Sequence, residues 1–230
     1  MQMEKEGVYV EQNILNEMSK NIGNRLDKLV EDIYKISGSE FNINSTQQLA
    51  VILFDELKLN QIKKRSTAEN ILKALTNDHE LPGLILEYRK LNKLKNTYID
   101  SLPTSINKET SRIHSTFNQT IASTGRLSST GPNFQNIPIR TEEGREIRKS
   151  FIAQKNKWKI LSADYSQVEL RIMAHLSKDT ELLDAFNNNI DIHSRTASLI
   201  YNVSIDDIIP EMRRTAKVVN FGIMYGAGAF

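Results

Sequence analysis

The 230-residue sequence is 39% hydrophobic and 25% charged and holds no cysteine, a globular composition that excludes disulfides and thiolate metal centres. No run approaches the roughly 20 apolar residues of a membrane span, and MQMEKEGVYVEQ lacks a basic-then-apolar leader pattern, so the sequence predicts a cytoplasmic protein that engages no membrane. The net charge of +2 conceals local sums of −5 over residues 1–57, +10 over 58–159 and −3 over 160–230; a basic middle suits a polyanion, and a solvated basic surface has the same composition.

In chain order, Leu15, Met18, Ile22, Leu26, Leu29, Ile33 and Ile36 fall three or four apart. This is the period of one apolar helical stripe, and it predicts a long amphipathic helix ending near Ser37-Gly38. Ser45 with Gln48, and Ser66 with Glu69, read as capping boxes that open two short helices. Between these lies a basic loop, Lys63, Lys64, Arg65 and Ser66, which is either a solubilising turn or a phosphate contact. A fourth helix from near Pro82 places Leu84, Tyr88, Leu91, Leu94 and Tyr98 on one side and Arg89, Lys90, Lys93 and Lys95 around the rest, so the two long helices can pack along their stripes. From about Pro103 the texture shifts to Ser, Thr, Asn and Gly, with β-branched residues recurring in RIHSTFNQTIAS, which predicts strands and a change of domain.

Three stretches then carry chemistry. ASTGRLSSTGPNFQNIPIR, residues 122–140, is crowded with hydroxyls and amides and carries Arg126 among them. Such groups fix register on phosphates and sugars, and they also fill ordinary turns. Next, KWKILSADYS reads as a strand up to Asp164, followed by a helix in QVELRIMAHL with Val168, Ile172 and Leu176 four apart. A carboxylate at a strand end, near released backbone carbonyls, suits a hard cation such as Mg²⁺, although it also suits a helix cap. Glu169 lies too far along the helix to share that ion and takes a separate role. Last, RRTAKVVNFGIMYGAG sets Arg213, Lys217, Phe221 and Tyr225 four apart, drifting about 40° per step on one broad helical face. Over a rise of roughly 18 Å that face offers two cations for phosphate oxygens and two rings for a sugar and base, with Gly222 and Gly226 leaving room beside the rings. A helix burying its rings and solvating its cations has the same spacing.

Together these stretches resemble, nearly letter for letter, the family A DNA polymerases of the bacterial DNA polymerase I type. DYSQVELR is similar to the first palm motif, TGRLSSTGPNFQNIP to the primer-template grip and RRTAKVVNFGIMYG to the nucleotide-binding fingers helix. FNINSTQQLAVILFDEL and ILEYRKLNKLKNTY resemble the thumb, so the likeness covers essentially the whole chain. It implies an α+β right-hand fold: a palm-edge segment over 1–12, a helical thumb over 13–103, the first part of an antiparallel palm over 104–185 and the front of the fingers over 186–230.

The resemblance implies DNA-templated transfer of deoxynucleotides to a primer 3′-hydroxyl, in replication and repair, by a monomer. Asp164 and the Tyr165 carbonyl would hold Mg²⁺ in a two-metal site that this chain supplies only in part. Arg213, Lys217 and His193 would hold the triphosphate, with Lys217 also the proton donor to pyrophosphate. Glu169, packed with Tyr225, would close the space of a ribose 2′-hydroxyl, and Gln167 would join the nucleotide site. Phe221 would stack near the sugar, and a phenyl ring there predicts discrimination against dideoxy substrates. Arg126, Asn133, Gln135 and Asn136, with Lys63, Lys64 and Arg65, would contact primer-template DNA, and Arg171 would support the site.

One departure stands out. The family's second palm motif, a His-Asp-Glu triplet that brings the other metal-binding aspartate, has no counterpart here; Asp179, Asp184, Asp191, Asp206 and Asp207 sit in capping or loop contexts. The sequence therefore predicts a fragment that does not extend primers alone, and it carries no exonuclease signature. Two other classes share parts of the pattern. A single-subunit RNA polymerase relative would lack the Glu169 gate, and a non-catalytic nucleic-acid-binding helical module would need neither Asp164 nor Lys217.

Overall fold

The structure, a computed structural model, describes residues 2–226. The chain divides into two compact units, residues 1–160 and 161–230. The architecture is α+β, mostly helical with small antiparallel sheets.

In the first unit, α1 (Gln2–Glu6) and β1 (Val8–Tyr9) precede the long α2 (Gln12–Ser37). The apolar stripe of α2 is buried at Leu15, Ile22, Leu26, Leu29 and Ile33, with Met18 and Ile36 packed beside them. The helix stops where Gly38 turns left-handed at φ 74° and gives its N–H to the Tyr34 carbonyl, a conformation that glycine adopts without a Cβ penalty. α3 (Thr46–Ala50) opens on Ser45, whose Oγ accepts from the Gln48 N–H at 3.3 Å, and continues as π-helical turns over Val51–Glu56. α4 (Glu69–Leu75) and α5 (Leu81–Leu94) follow, α5 running on as a π-helical turn over Lys95–Ile99 into the short α6 (Ser101–Thr104).

α2 and α5 run antiparallel, because Ser19 meets Asp100 at 2.7 Å while Arg25 meets Glu87 at 3.2 Å. Their shared face forms one core with Leu91, Leu94, Tyr98 and Ile99; a second core gathers Ile33, Leu49, Leu53, Leu72, Leu75, Leu81 and Ile85. Full burial of each such side chain is worth about 1.5–3 kcal/mol.

The β-branched stretch forms strands as predicted. β2 (Arg112–Ile113) pairs with β1, Val8 opposite Ile113; β3 (Thr116–Asn118) pairs with β4 (Ser128–Thr130), Phe117 opposite Ser129. A 3₁₀ turn, Phe134–Asn136, leads to α7 (Glu142–Lys149), which Thr141 caps by accepting the Gly144 N–H at 3.1 Å.

The second unit holds α8 (Val168–Ser177), α9 (Thr180–Asn187), α10 (Ile192–Tyr201) and α11 (Pro210–Met224). Its core is small: Leu170, Ala185 and Ile192, supported by Leu182, Phe186, Ile190 and Met224.

Three expectations are corrected. The stretch before Asp164 is not a strand, since Trp158, Ile160 and Leu161 lie in irregular loop and Leu161 is 90% exposed. Among the described residues no neighbouring strand offers its backbone groups to this segment, and a lone strand gains nothing over water. α8 forms as predicted but buries Leu170 and Ala174, leaving the 168/172/176 stripe exposed. The box at Ser66 does not form: Arg89 donates to the Thr67 carbonyl at 2.6 Å, Ala68 is extended, α4 starts at Glu69, and Ser66 Oγ accepts from the Ala68 N–H.

Candidate functional site

The second unit contains the cations, rings and carboxylates singled out at 164–225, and it brings Glu169, His193, Phe221 and Tyr225 together. On α11, Arg213 grips Asp191 side-on, Nε to Oδ2 at 2.8 Å and Nη2 to Oδ1 at 2.9 Å. Asp191 caps α10 by accepting from the Ser194 N–H and Oγ, each at 2.8 Å, and takes a further 2.9 Å hydrogen bond from Gln167 Nε2 at the start of α8. Burial pushes the Asp191 carboxyl up, but the hydrogen bonds from Arg213 and Ser194 outweigh it and hold the group well below the ordinary carboxylate range.

One turn along α11, exposed Lys217 places Nζ 5.9 Å from the Phe221 ring centre, and Phe221 stacks on Tyr225 with centroids 6.3 Å apart and planes 17° from parallel. Tyr225 closes the row by donating its phenol to Glu169 Oε2 at 2.9 Å. His193 is buried under this row, its ring 5.7 Å from that of Phe221 and its Nδ1 3.1 Å from Asn220 Nδ2. Burial lowers the His193 pKa, Asp191 opposes, and Arg213 and Lys217 add to the lowering, so the ring is neutral near pH 7 and Nδ1 accepts from Asn220. Arg171 supports α8 from outside, donating to the Ser166 carbonyl at 3.0 Å and covering the Phe186 ring at 4.5 Å.

The chemistry of this face follows from the residue order. The outward parts of Arg213 and Lys217 suit an anion with several oxygens, and two parallel rings beside them suit a flat or apolar group. The sequence marked these residues but not the Asp191 hub or Asn220; Asp191 stood there only among the acids in capping or loop contexts.

Asp164 and Tyr165 lie in exposed loop just before α8. An accessible carboxylate beside backbone carbonyls is a hard-oxygen donor set that fits Mg²⁺. Among the described residues, however, no three His, Asp or Glu side chains stand together to hold an ion. The donors present therefore fit part of a magnesium site and not a whole one.

In the first unit, the amide-rich stretch folds largely onto itself. Gln135 accepts the Ser129 N–H at 3.1 Å and donates to the Leu127 carbonyl at 2.9 Å; Asn133 caps the 3₁₀ turn by accepting the Gln135 N–H at 3.0 Å. The Asn136 carbonyl takes the Tyr98 hydroxyl at 2.5 Å, while Arg126 is exposed. In the basic loop, Lys63 and Lys64 are exposed, and Arg65 forks onto Asp55 at 2.5 and 2.7 Å. A groove of about 820 Å³ along α5 is lined by Lys73, Arg89, Lys90, Lys93, Tyr98 and Asn136 among others.

The pattern of the family described as DNA polymerase family A matches residues 12–230. The chain belongs to DNA polymerase family A. It is 48% identical to DNA polymerase I of Pseudomonas aeruginosa over 99% of this chain and 26% of that protein, and 46% identical to DNA polymerase I of Bacillus subtilis over 98% and 26%. Among solved structures, the polymerase domain of Pol1 from M. smegmatis, in complex with DNA primer-template and dNTP, superposes with a TM-score of 0.89 at 42% identity, covering 98% of this chain and 40% of that one. This family A chain thus spans about a quarter of the length of the curated relatives it matches. No helix among its described residues is long and apolar enough to cross a membrane.

Proposed function

We propose that this chain supplies the thumb, the first part of the palm and the front of the fingers of a cytoplasmic, monomeric DNA-directed DNA polymerase that serves replication and repair. The divisions are palm edge 1–12, thumb 13–103, palm 104–185 and fingers 186–230. The observation that carries the reading is the row on α11, Arg213, Lys217, Phe221 and Tyr225, tied at its end to Glu169. It matches the needs of a deoxynucleoside triphosphate: cations for the phosphates, stacked rings for the sugar and base, and a carboxylate-phenol pair filling the space beside the sugar.

In this reading Arg213 and Lys217 bind the triphosphate, and Lys217 gives a proton to the departing pyrophosphate. His193 stays neutral and offers Nε2–H to a phosphate oxygen. Glu169 and Tyr225 exclude a 2′-hydroxyl, Phe221 packs on the sugar, Gln167 anchors the start of α8 through Asp191, and Arg171 braces α8. Asp164 and the Tyr165 carbonyl hold part of the Mg²⁺ site; magnesium, when bound, lowers the charge barrier to attack by the primer hydroxyl and release of pyrophosphate. Arg126, Asn133, Gln135 and Asn136 form one contact surface for primer-template DNA and Lys63, Lys64 and Arg65 another. Gln135 and Asn133 act by shaping the loop whose backbone meets phosphate.

The test is a chimera joining residues 1–230 to the C-terminal remainder of the Bacillus subtilis relative. Primer extension with deoxynucleotides is expected, and Asp164→Ala abolishes it. A folded chimera that extends no primer, or one indifferent to Asp164→Ala, contradicts the assignment.

A further inference from the structure

Asp191 accepts five hydrogen bonds: Nε and Nη2 of Arg213, the N–H and Oγ of Ser194, and Nε2 of Gln167, all between 2.8 and 2.9 Å. A carboxylate offers about four lone-pair sites, so this one is saturated from within the protein and has no capacity left for a metal ion. Its grip on Arg213 is side-on. Nη1 makes no hydrogen bond among the described residues, and the Arg213 side chain is 44% exposed. One edge of the guanidinium is therefore clamped while the Nη1/Nη2 edge faces outward, one helical turn from Lys217.

We propose that Asp191 is a positioning residue for nucleotide binding: it locks the side-on edge of Arg213 and thereby presents the other edge, pre-oriented, to a phosphate of the incoming nucleotide. The inference rests on the reading of α11 as the triphosphate-binding helix. An arginine already fixed by a saturated acceptor loses little rotamer freedom when an anion arrives, and its fork is delivered in one orientation. Ser194 and Gln167 hold the clamp from α10 and from the start of α8, so three helices agree on where that edge points.

The sign of one substitution separates this from plain electrostatics. A negative charge beside a polyanion site repels the ligand, so if charge alone mattered, Asp191→Asn would tighten binding. The clamp requires the reverse, and affinity should fall by about tenfold. The probe is inorganic tripolyphosphate, titrated into ¹⁵N-labelled residues 1–230 and followed by calorimetry and by the Arg213 Nε–H resonance, which is assigned by its loss in Arg213→Lys. The expected results are weaker binding in Asp191→Asn, partial recovery in Asp191→Glu, unchanged affinity in Ser194→Ala, which weakens the cap but leaves the fork, and an Arg213 Nε–H signal that persists at saturation. Equal or tighter binding by Asp191→Asn overturns the proposal, as does loss of that signal on adding tripolyphosphate, which would make Asp191 a competitor that must let go. Loss of affinity in Ser194→Ala equal to that in Asp191→Asn would reduce Asp191 to a helix cap and overturns it too. If Arg213→Ala leaves affinity unchanged, the reading of α11 itself fails.

Discussion

The phenol of Tyr225 donates a 2.9 Å hydrogen bond to Oε2 of Glu169, joining the end of α11 to the first turn of α8 across 56 positions of sequence. Each group fixes the other: the carboxylate holds the ring near parallel to Phe221, and the ring keeps the carboxylate at the end of the Phe221–Tyr225 row. If that pair excludes a 2′-hydroxyl, Glu169→Ala in the chimera raises ribonucleotide incorporation relative to deoxynucleotide by tenfold or more, corresponding to roughly 1.4 kcal/mol of lost discrimination. Tyr225→Phe, which keeps the ring and the carboxylate, gives a smaller rise. Competition kinetics with paired nucleotides measure both; an unaltered ratio in Glu169→Ala removes the gate.

Acid should weaken the second unit in two steps. His193 has a folded pKa below its unfolded value of about 6.5, because burial disfavours the imidazolium. Its stabilising contribution is thus complete above that value and is lost as pH falls from it toward the folded pKa. Asp191 is also lowered, by Arg213 and Ser194 against the effect of burial, so its contribution is complete above the unfolded carboxyl value of about 3.9 and disappears below it. Thermal melts of wild type and His193→Asn between pH 7.5 and 5 test the first step: the difference between the two curves should change with pH, wild type losing more on acidification. Parallel curves would show that His193 is as readily protonated folded as unfolded.

Two glycines make a matched pair in the first unit. A Cβ on Gly144 would stand 2.7 Å from Pro138 Cβ and 2.8 Å from the Pro138 carbonyl oxygen, so Gly144→Ala forces α7 away from the 134–138 segment. Overpacking of this kind costs about 1–3 kcal/mol. Gly23, in the middle of α2, has nothing nearer than Lys95 Cε at 3.8 Å, and Gly23→Ala should stabilise by roughly 0.5–1 kcal/mol through helix propensity. Denaturant unfolding reads both, and a stabilising Gly144→Ala would show that the Pro138 contact yields easily.

The legible and illegible parts of this chain differ in what they depend on. The α2 stripe and its stop at Gly38 were readable because a 3.6-residue period and a left-handed glycine are local properties. The row at 213, 217, 221 and 225 was readable for the same reason, since all four residues lie on one helix or at its end. The stretch before Asp164 misled because strand propensity is a preference for a pleated neighbour, and no strand among the described residues accompanies it. Ser66 misled because the decisive interaction, Arg89 on Thr67, spans 22 positions. Asp191 stands in the sequence only among acids in capping or loop contexts; it caps α10, and its partner Arg213, 22 positions away, has no local signature. The amides of Gln135 and Asn133 looked like ligand contacts, and their side chains brace their own loop.

If the basic middle segment neutralises phosphates as proposed, affinity for primer-template DNA falls steeply with salt. Removing one cation from a phosphate lowers the slope of log K against log salt by about 0.9. The double substitution Lys63→Ala with Lys64→Ala is expected to lower that slope and to weaken binding equally across sequences. Arg65→Ala should lower it less, since Asp55 holds the Arg65 fork. Fluorescence anisotropy at several salt concentrations gives the slopes, and identical slopes for wild type and the double variant would mean the loop is only a solvated turn.

One nucleotide should be held at once by the loop at Asp164 and by the face of α11, and every role proposed for the second unit depends on it. Paramagnetic relaxation reads this most directly: Mn²⁺ is added to ¹⁵N-labelled residues 1–230 in the presence of a deoxynucleoside triphosphate, and amide broadening is mapped along the chain. The predicted result is concurrent broadening at 164–165 and over 213–225, with the 164–165 effect lost in Asp164→Ala. Broadening at only one of the two, or at neither, would contradict that shared grip.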